Sequence, residues 1–113
     1  MANTGLDFGP FALKRVTINS EVRRTSPGAY ALTRSDESET FYVNYVGRDD
    51  KDVNDRLKDH VDNYARFKFS YFSSPEDAYK KECKMYHDFT PYDNKIHPAK
   101  PEGNDLNCPV CGN

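Results

Sequence analysis

No apolar run in the 113-residue chain is long enough to span a membrane, and residues 1–16 lack the apolar core of a secretory signal. We therefore expect a soluble, cytoplasmic protein whose three cysteines are thiols or metal ligands rather than disulfides. The formal net charge is only −2. Binding to nucleic acid would therefore depend on local clusters of positive charge.

Aromatic residues are plentiful, although only 36% of the residues are hydrophobic. Eight tyrosines and seven phenylalanines make up 13% of the chain. This composition predicts a small folded domain with an aromatic core rather than a disordered chain. The length favours a single domain.

The hydrophobic pattern predicts the order strand, strand, helix, strand, helix. Three segments rich in aromatic and β-branched residues are predicted strands: 29–33, 41–46 and 66–72. A first helix should begin near residue 52, because Val53, Leu57 and Val61 recur every four residues. A second should begin after Ser74 and reach about residue 88, because serine caps helices and proline follows at the first helical position.

The flanking segments show weaker patterns. Residues 1–10 are predicted to be a loose tail, and the alternation of Val16 and Ile18 predicts an edge strand. The polar residues 34–39 suit a hairpin tip. Beyond residue 89 the chain is rich in Pro, Asn, Asp and Gly, so we expect no regular structure there.

Arg56 and His60 lie one helical turn apart and project from the same face, at the margin of the core. A guanidinium in that position can hold a phosphate with two hydrogen bonds, and an imidazole can exchange a proton near neutral pH. The alternative is a solvated surface pair without a function.

Glu82 shares a partly apolar face with Ala78 on the second predicted helix. A carboxylate there is costly unless it is paired or bound to a metal. Mg²⁺ accepts one carboxylate together with waters and substrate oxygens. The alternative is a solvent-facing glutamate beside Lys80, Lys81 and Lys84.

In chain order these residues resemble the GIY-YIG endonuclease family over about residues 28–95. The elements that carry the resemblance are GAY at 28–30, YVGR at 45–48, Arg56 with His60, Glu82, and Asn94. Ala29 stands where the family usually has Ile or Val. The insert between the two tripeptides is a few residues longer than is typical of the family.

The resemblance implies an α+β domain with a small three-stranded antiparallel sheet flanked by helices, which agrees with the predicted order of elements. It also implies hydrolysis of DNA phosphodiester bonds with one divalent metal, Mg²⁺ or Mn²⁺. Glu82 would hold the metal, Arg56 would steady the scissile phosphate, and Tyr30 would help to activate or position the attacking water. The other implied site residues are His60 for proton transfer, Tyr45 to orient the network, Arg48 for positive charge and Asn94 for support.

The CPVC sequence at 108–111 is either a redox pair or half of a zinc site. No predicted strand precedes it and no helix follows it, which argues against a thioredoxin-like role. A closed zinc site needs four ligands, and Cys83 and His87 at i, i+4 would complete the set with Cys108 and Cys111. His97 is the alternative to His87. A free terminal C-x-x-C remains the alternative to zinc.

The predicted organisation is an N-terminal extension with an edge strand (1–27), a nuclease-like domain (28–95) and a zinc-bound tail packed on that domain (96–113). The predicted function is a metal-dependent endonuclease, with branched and damaged DNA among the candidate substrates. A local patch of positive residues would supply affinity: Arg66, Lys68, Lys80, Lys81 and Lys84. Two other functions fit the sequence, a non-cleaving nucleic-acid-binding module and a zinc-stabilised protein-interaction domain. No membrane partner and no particular oligomeric state are predicted.

Overall fold

A computed structural model describes residues 4–36, 40–101 and 108–110. Its elements are β1 (Phe8–Ala12), α1 (Arg15–Glu21), β2 (Gly28–Thr33), β3 (Tyr45–Asp49), α2 (Val53–Lys58), β4 (Arg66–Tyr71) and α3 (Pro75–Phe89). The strands form one antiparallel sheet in the order β1-β4-β2-β3. The α+β class is therefore confirmed. None of the described helices has the length and hydrophobicity needed to cross a membrane.

The sheet separates two helical layers because side chains alternate between its faces. On one face α1 and α2 cover the larger side chains, and the buried cluster there includes Ile18, Tyr30, Leu32, Val53, Leu57, Phe67 and Phe69. On the other face Ala29, Ala31 and Val46 pack against Met85 of α3. The small residues of β2 allow α3 to approach the sheet closely.

The predicted starts of α2 and α3 are confirmed by their capping bonds. The Asp52 side chain accepts a hydrogen bond from the Asn54 amide, and the Ser74 side chain accepts one from the Asp77 amide. Pro75 is the first residue of α3, where its missing N–H costs no helical bond. These caps fix the direction in which each helix leaves the sheet.

The sheet has four strands, so the expected three-stranded sheet is wrong. Residues 8–10, placed in a loose tail by their glycine and proline, form β1 together with Phe11 and Ala12, and this strand pairs with β4. Phe8 lies opposite Phe69 and Phe11 lies opposite Phe67, and the Phe8 and Phe69 rings stack at 5.1 Å. These cross-strand aromatic pairs outweigh the local loop signals.

The predicted edge strand around Val16 and Ile18 is also wrong, because both residues lie in α1. Val16 is 74% exposed, whereas Ile18 and Val22 are buried. A spacing of four residues, from Ile18 to Val22, is the helical period. Leu13, Ile18 and Val22 belong to the same core as the central strands.

β3 begins at Tyr45 rather than at residue 41. Phe41 and Val43 pack against the α3 side of the sheet from an irregular segment. The Asn44 amide donates to the Leu32 carbonyl, and the Asn44 side chain accepts from the Arg34 amide at 2.9 Å. This side-chain bond to the backbone replaces further strand pairing between residues 34 and 44.

Candidate active site

The two tyrosines of the GAY and YVG tripeptides lie on neighbouring strands. Tyr30 is on β2 and Tyr45 is on β3, and their rings are 6.5 Å apart. The Tyr30 hydroxyl is 2.9 Å from Nε2 of His60, whose ring also packs against Tyr45 at 5.2 Å. With Tyr64, which contacts Tyr45 and His60, these residues form one aromatic cluster. Tyr30 itself is only 1% exposed.

Gly47 makes room for Tyr30. The two residues are directly paired across β2 and β3. A Cβ at Gly47 would lie 2.5 Å from the Tyr30 hydroxyl oxygen and 2.5 Å from the ring carbon that bears it. The glycine of the second tripeptide is therefore required by the ring that crosses above it.

Gly47→Ala should lower the free energy of unfolding by about 1–3 kcal/mol, the usual cost of overpacking a core. The clash falls on a buried, hydrogen-bonded tyrosine that cannot move into solvent. Urea unfolding measures the change, with Val16→Ala at an exposed site as the control. Equal stability of Gly47→Ala and the wild type would contradict this packing.

His60 is half-buried, and its pKa is lowered from the ordinary value of 6.5. Burial is the largest cause, the positive charge of Arg56 adds to it, and Asp59 opposes it. His60 is therefore neutral at pH 7 and can share the proton of Tyr30. Burial also raises the pKa of Tyr30 well above its ordinary value, so this hydroxyl stays protonated.

The stability of the domain should fall as the pH drops below 6.5. The unfolded chain protonates His60 first, because the pKa of the folded state is the lower of the two. This contribution is present above pH 6.5 and is lost as the pH falls through the folded pKa. NMR titration of the imidazole, with urea unfolding at several pH values, tests the sign. His60→Gln should lose this part of the pH dependence, and a His60 that titrates above pH 6.5 would contradict it.

A charged cleft of about 420 Å³ opens where β3 ends and α2 begins. It is lined by Arg48, Asp49, Asp50, Lys51, Arg56, Glu82 and Ala99. Three of the residues implied by the resemblance, Arg48, Arg56 and Glu82, thus lie in one cleft. Glu82 is close enough to Tyr30 and Tyr45 to raise the pKa of both.

Glu82 projects from α3 towards the end of β3 and pairs with Arg48. Its Oε1 accepts a hydrogen bond from Nη1 of Arg48 at 2.7 Å, and both side chains are 10% exposed. Burial raises the pKa of Glu82, and the Arg48 guanidinium offsets part of that shift. Arg48 also donates from Nε to Asp50 at 2.8 Å.

Arg56 reaches the same cleft from α2 and is more accessible, with 50% of its side chain exposed. Its Nε donates to Asp49 at 3.2 Å, and Nη1 lies 3.6 Å from Asp59. Asp49 also accepts from the amides of Lys51 and Asp52. Burial would raise the pKa of Asp49, but these amide bonds and Arg56 lower it.

Asn94 does not line the cleft but secures the tail beside it. Its side chain accepts from the Val46 amide at 2.8 Å and donates to the Val46 carbonyl at 2.9 Å. Ala99, five residues further on, forms part of the cleft wall. Asn94 therefore supports the site through the backbone of β3.

The two aspartates of the cleft and Ala99 were not predicted from the sequence. Asp49 and Asp50 come directly after YVGR at 45–48, but no role in a site was predicted for them. Their place directly after Arg48 was the available signal. Nothing in the irregular tail indicated that Ala99 would reach the cleft.

A second cluster lies at the tail end of the domain. Ligand atoms of Cys83, His97 and Cys108 all lie within 4.8 Å of one another, close enough to bind one metal ion. Nδ1 of His97 is 3.0 Å from the Pro98 carbonyl oxygen. Because a carbonyl only accepts, Nδ1 carries the proton, and Nε2 is the nitrogen of His97 that can bind a metal.

His97, the alternative ligand from the sequence, is the histidine of this three-residue cluster. His87 is not one of the three, although its Nε2 lies 3.4 Å from Nε2 of His97. Cys111 lies outside the described residues. Burial raises the pKa of the Cys83 thiol to about 12, a shift that a bound cation would reverse because metals bind thiolates.

Tyr79 packs against Cys83 and Cys108 in a small buried group. Within the described part of the chain its buried hydroxyl makes no hydrogen bond of normal geometry, although it lies beside the Cys83 thiol. Its ring also lies under the Arg48 guanidinium at 5.2 Å. The same tyrosine therefore contacts the cysteine cluster and the charged cleft.

No protein-family model matches the chain, and no curated protein or solved structure is significantly similar to it. The function must therefore be argued from the residues of the cleft.

Proposed function

We propose that this protein is a metal-dependent endonuclease of the GIY-YIG type that hydrolyses phosphodiester bonds in DNA. The observation that supports it best is one cleft lined by Arg48, Arg56 and Glu82. The Tyr30–His60 hydrogen-bonded pair lies nearby. Phosphoryl transfer requires charge neutralisation and an oriented nucleophile more than a strong base, and these residue types provide both.

The donor set of the cleft fits a hard divalent cation. Glu82 offers a carboxylate at the wall of an open cleft, and Mg²⁺ is commonly bound by one or two carboxylates with waters and phosphate oxygens. When bound, Mg²⁺ or Mn²⁺ would neutralise charge on the scissile phosphate. We assign its binding to Glu82.

The side chains of the cleft have separate tasks in this proposal. Arg56, half-exposed and paired with Asp49, can turn towards a phosphate with little loss of burial. The neutral imidazole of His60 can accept the Tyr30 proton at Nε2 as the Tyr30 oxygen takes a proton from the attacking water. Tyr45 packs on both rings and fixes their orientation.

A nicking assay on supercoiled plasmid with Mg²⁺ or Mn²⁺ tests the proposal. We expect conversion of supercoiled to open-circular DNA that stops when EDTA is added. The binding step should weaken with salt, because lysine and arginine contacts to phosphates release counterions. DNA binding without cleavage of duplex, single-stranded or branched substrates would instead support the non-cleaving module.

We also propose that the Cys83, His97 and Cys108 cluster holds a structural zinc ion. Two thiolates and an imidazole are typical zinc ligands, and a closed site requires a fourth. His87, 3.4 Å from His97, and Cys111 are the candidates for that position. Elemental analysis of protein purified without added metal should find about one zinc per chain. Absence of zinc would leave the cysteines as free thiols.

A further inference from the structure

Arg48 is paired with Glu82, the carboxylate to which the proposed activity assigns the metal ion. Its guanidinium donates to Glu82 at 2.7 Å and to Asp50 at 2.8 Å, and it lies over the Tyr79 ring at 5.2 Å. Only 10% of the Arg48 side chain is exposed. In the free protein Glu82 is therefore already neutralised by a buried cation.

A divalent cation and the Arg48 guanidinium cannot both lie against Glu82 without strong repulsion, because the Arg48 and Glu82 side chains are each only 10% exposed and charges there are poorly screened. An anion entering the cleft removes this conflict. A phosphate offers a guanidinium two acceptor oxygens in the geometry that arginine prefers. Asp50 can retain the Nε hydrogen bond while the rest of the guanidinium turns away from Glu82.

We propose that Arg48 prevents cations from binding Glu82 until a substrate phosphate draws the guanidinium away from the carboxylate. In the free protein Arg48 pairs with the Glu82 carboxylate. When a phosphate enters the cleft, the Arg48 guanidinium pairs with the phosphate instead and leaves Glu82 exposed. Phosphate and divalent cation therefore bind cooperatively, and the free protein binds the cation weakly. This inference rests on the proposed function and describes the regulation of the same site.

The coupling can be measured in the unmodified protein. Binding of Mn²⁺ is followed by electron paramagnetic resonance, with and without a saturating nucleoside 3′,5′-bisphosphate. The bisphosphate should tighten Mn²⁺ binding about tenfold, a typical coupling between two sites. Titration of the bisphosphate alone and of the Glu82→Gln protein corrects for Mn²⁺ bound elsewhere.

Replacing Arg48 should leave Glu82 open to a cation even when no phosphate is bound. Arg48→Met keeps the length of the side chain but not its charge, so Mn²⁺ should bind the free variant about tenfold more tightly than the wild type. The bisphosphate should then raise the Mn²⁺ affinity of this variant only slightly. Arg24→Met is the matched control, because Arg24 also lies over a tyrosine ring, that of Tyr71, far along the chain from Glu82. It should leave Mn²⁺ affinity unchanged.

Two results would overturn the inference. One is independent binding of Mn²⁺ and bisphosphate to the wild type, and the other is unchanged or weaker Mn²⁺ binding by a folded Arg48→Met protein. If that variant does not fold, the wild-type coupling decides alone. Plasmid nicking is scored separately. Coupling without nicking would reject only the proposed nuclease activity. Nicking without coupling would reject only the proposed role of Arg48.

Discussion

Replacing Glu82 with glutamine should abolish nicking of supercoiled plasmid. We expect a loss of about 10²- to 10³-fold in rate, the usual effect of removing one group that stabilises charge in a transition state. Glutamine keeps the shape of the side chain but is a poor ligand for Mg²⁺ or Mn²⁺. Rates are measured from the open-circular product under identical metal and salt concentrations.

The variant should remain folded, because the glutamine carbonyl can still accept a hydrogen bond from Arg48, which also keeps Asp50. Asp88→Asn is the matched control. Asp88 is on the same helix and pairs with Lys84 at the surface, so its replacement should alter neither nicking nor folding appreciably. Full nicking activity in a folded Glu82→Gln protein would show that the carboxylate is not required.

Removing zinc should produce the largest loss of stability. A metal present at a thousand times its dissociation constant stabilises the folded state by about 4 kcal/mol. For a domain of this size that energy corresponds to a fall in melting temperature of about 15 °C, at roughly 4 °C per kcal/mol. We expect this fall with a chelator and also in Cys108→Ser. Thermal unfolding followed by circular dichroism measures both.

Tyr79→Phe provides a control inside the same buried group. It removes only a hydroxyl that makes no hydrogen bond of normal geometry to the described residues, so the melting temperature should hardly change. A chelator should have no further effect on Cys108→Ser, since the metal is already lost. If the chelator leaves the wild-type melting temperature unchanged, the cluster does not stabilise the fold through a metal.

The helix starts, which have strong signals in the nearby sequence, were predictable. Strand β1, which forms by pairing with residues distant in the chain, was not. The starts of α2 and α3 follow from side chains that cap their own helices, so a short stretch of sequence contains the whole cause. β1 depends on Phe8 and Phe11 meeting residues of β4 more than fifty positions away. Its own glycine and proline indicated a loop, and only the completed sheet reverses that preference.

The candidate site likewise contains residues that local patterns predicted and contacts that they did not. Arg56 and Glu82 were placed on helix faces by spacing, and the structure brings them to one cleft. The pairing of Arg48 with Glu82 joins a strand end to a helix 34 residues later, which no local pattern encodes. His97 lies beside Cys83 and Cys108 because the irregular tail folds back onto α3, and the sequence offered only its residue type.

Asn94 gives the outer strand of the sheet a side-chain partner in place of a backbone one. Its amide group accepts from Val46 and donates to Val46, as a residue of a fifth strand would. At the opposite edge, Pro10 in β1 has no amide hydrogen to offer. The sheet is therefore a poor template for adding a strand from another molecule. Aggregation by edge-to-edge pairing is disfavoured, and any complex with a second copy or another protein must be built from side-chain contacts on the helical faces and loops.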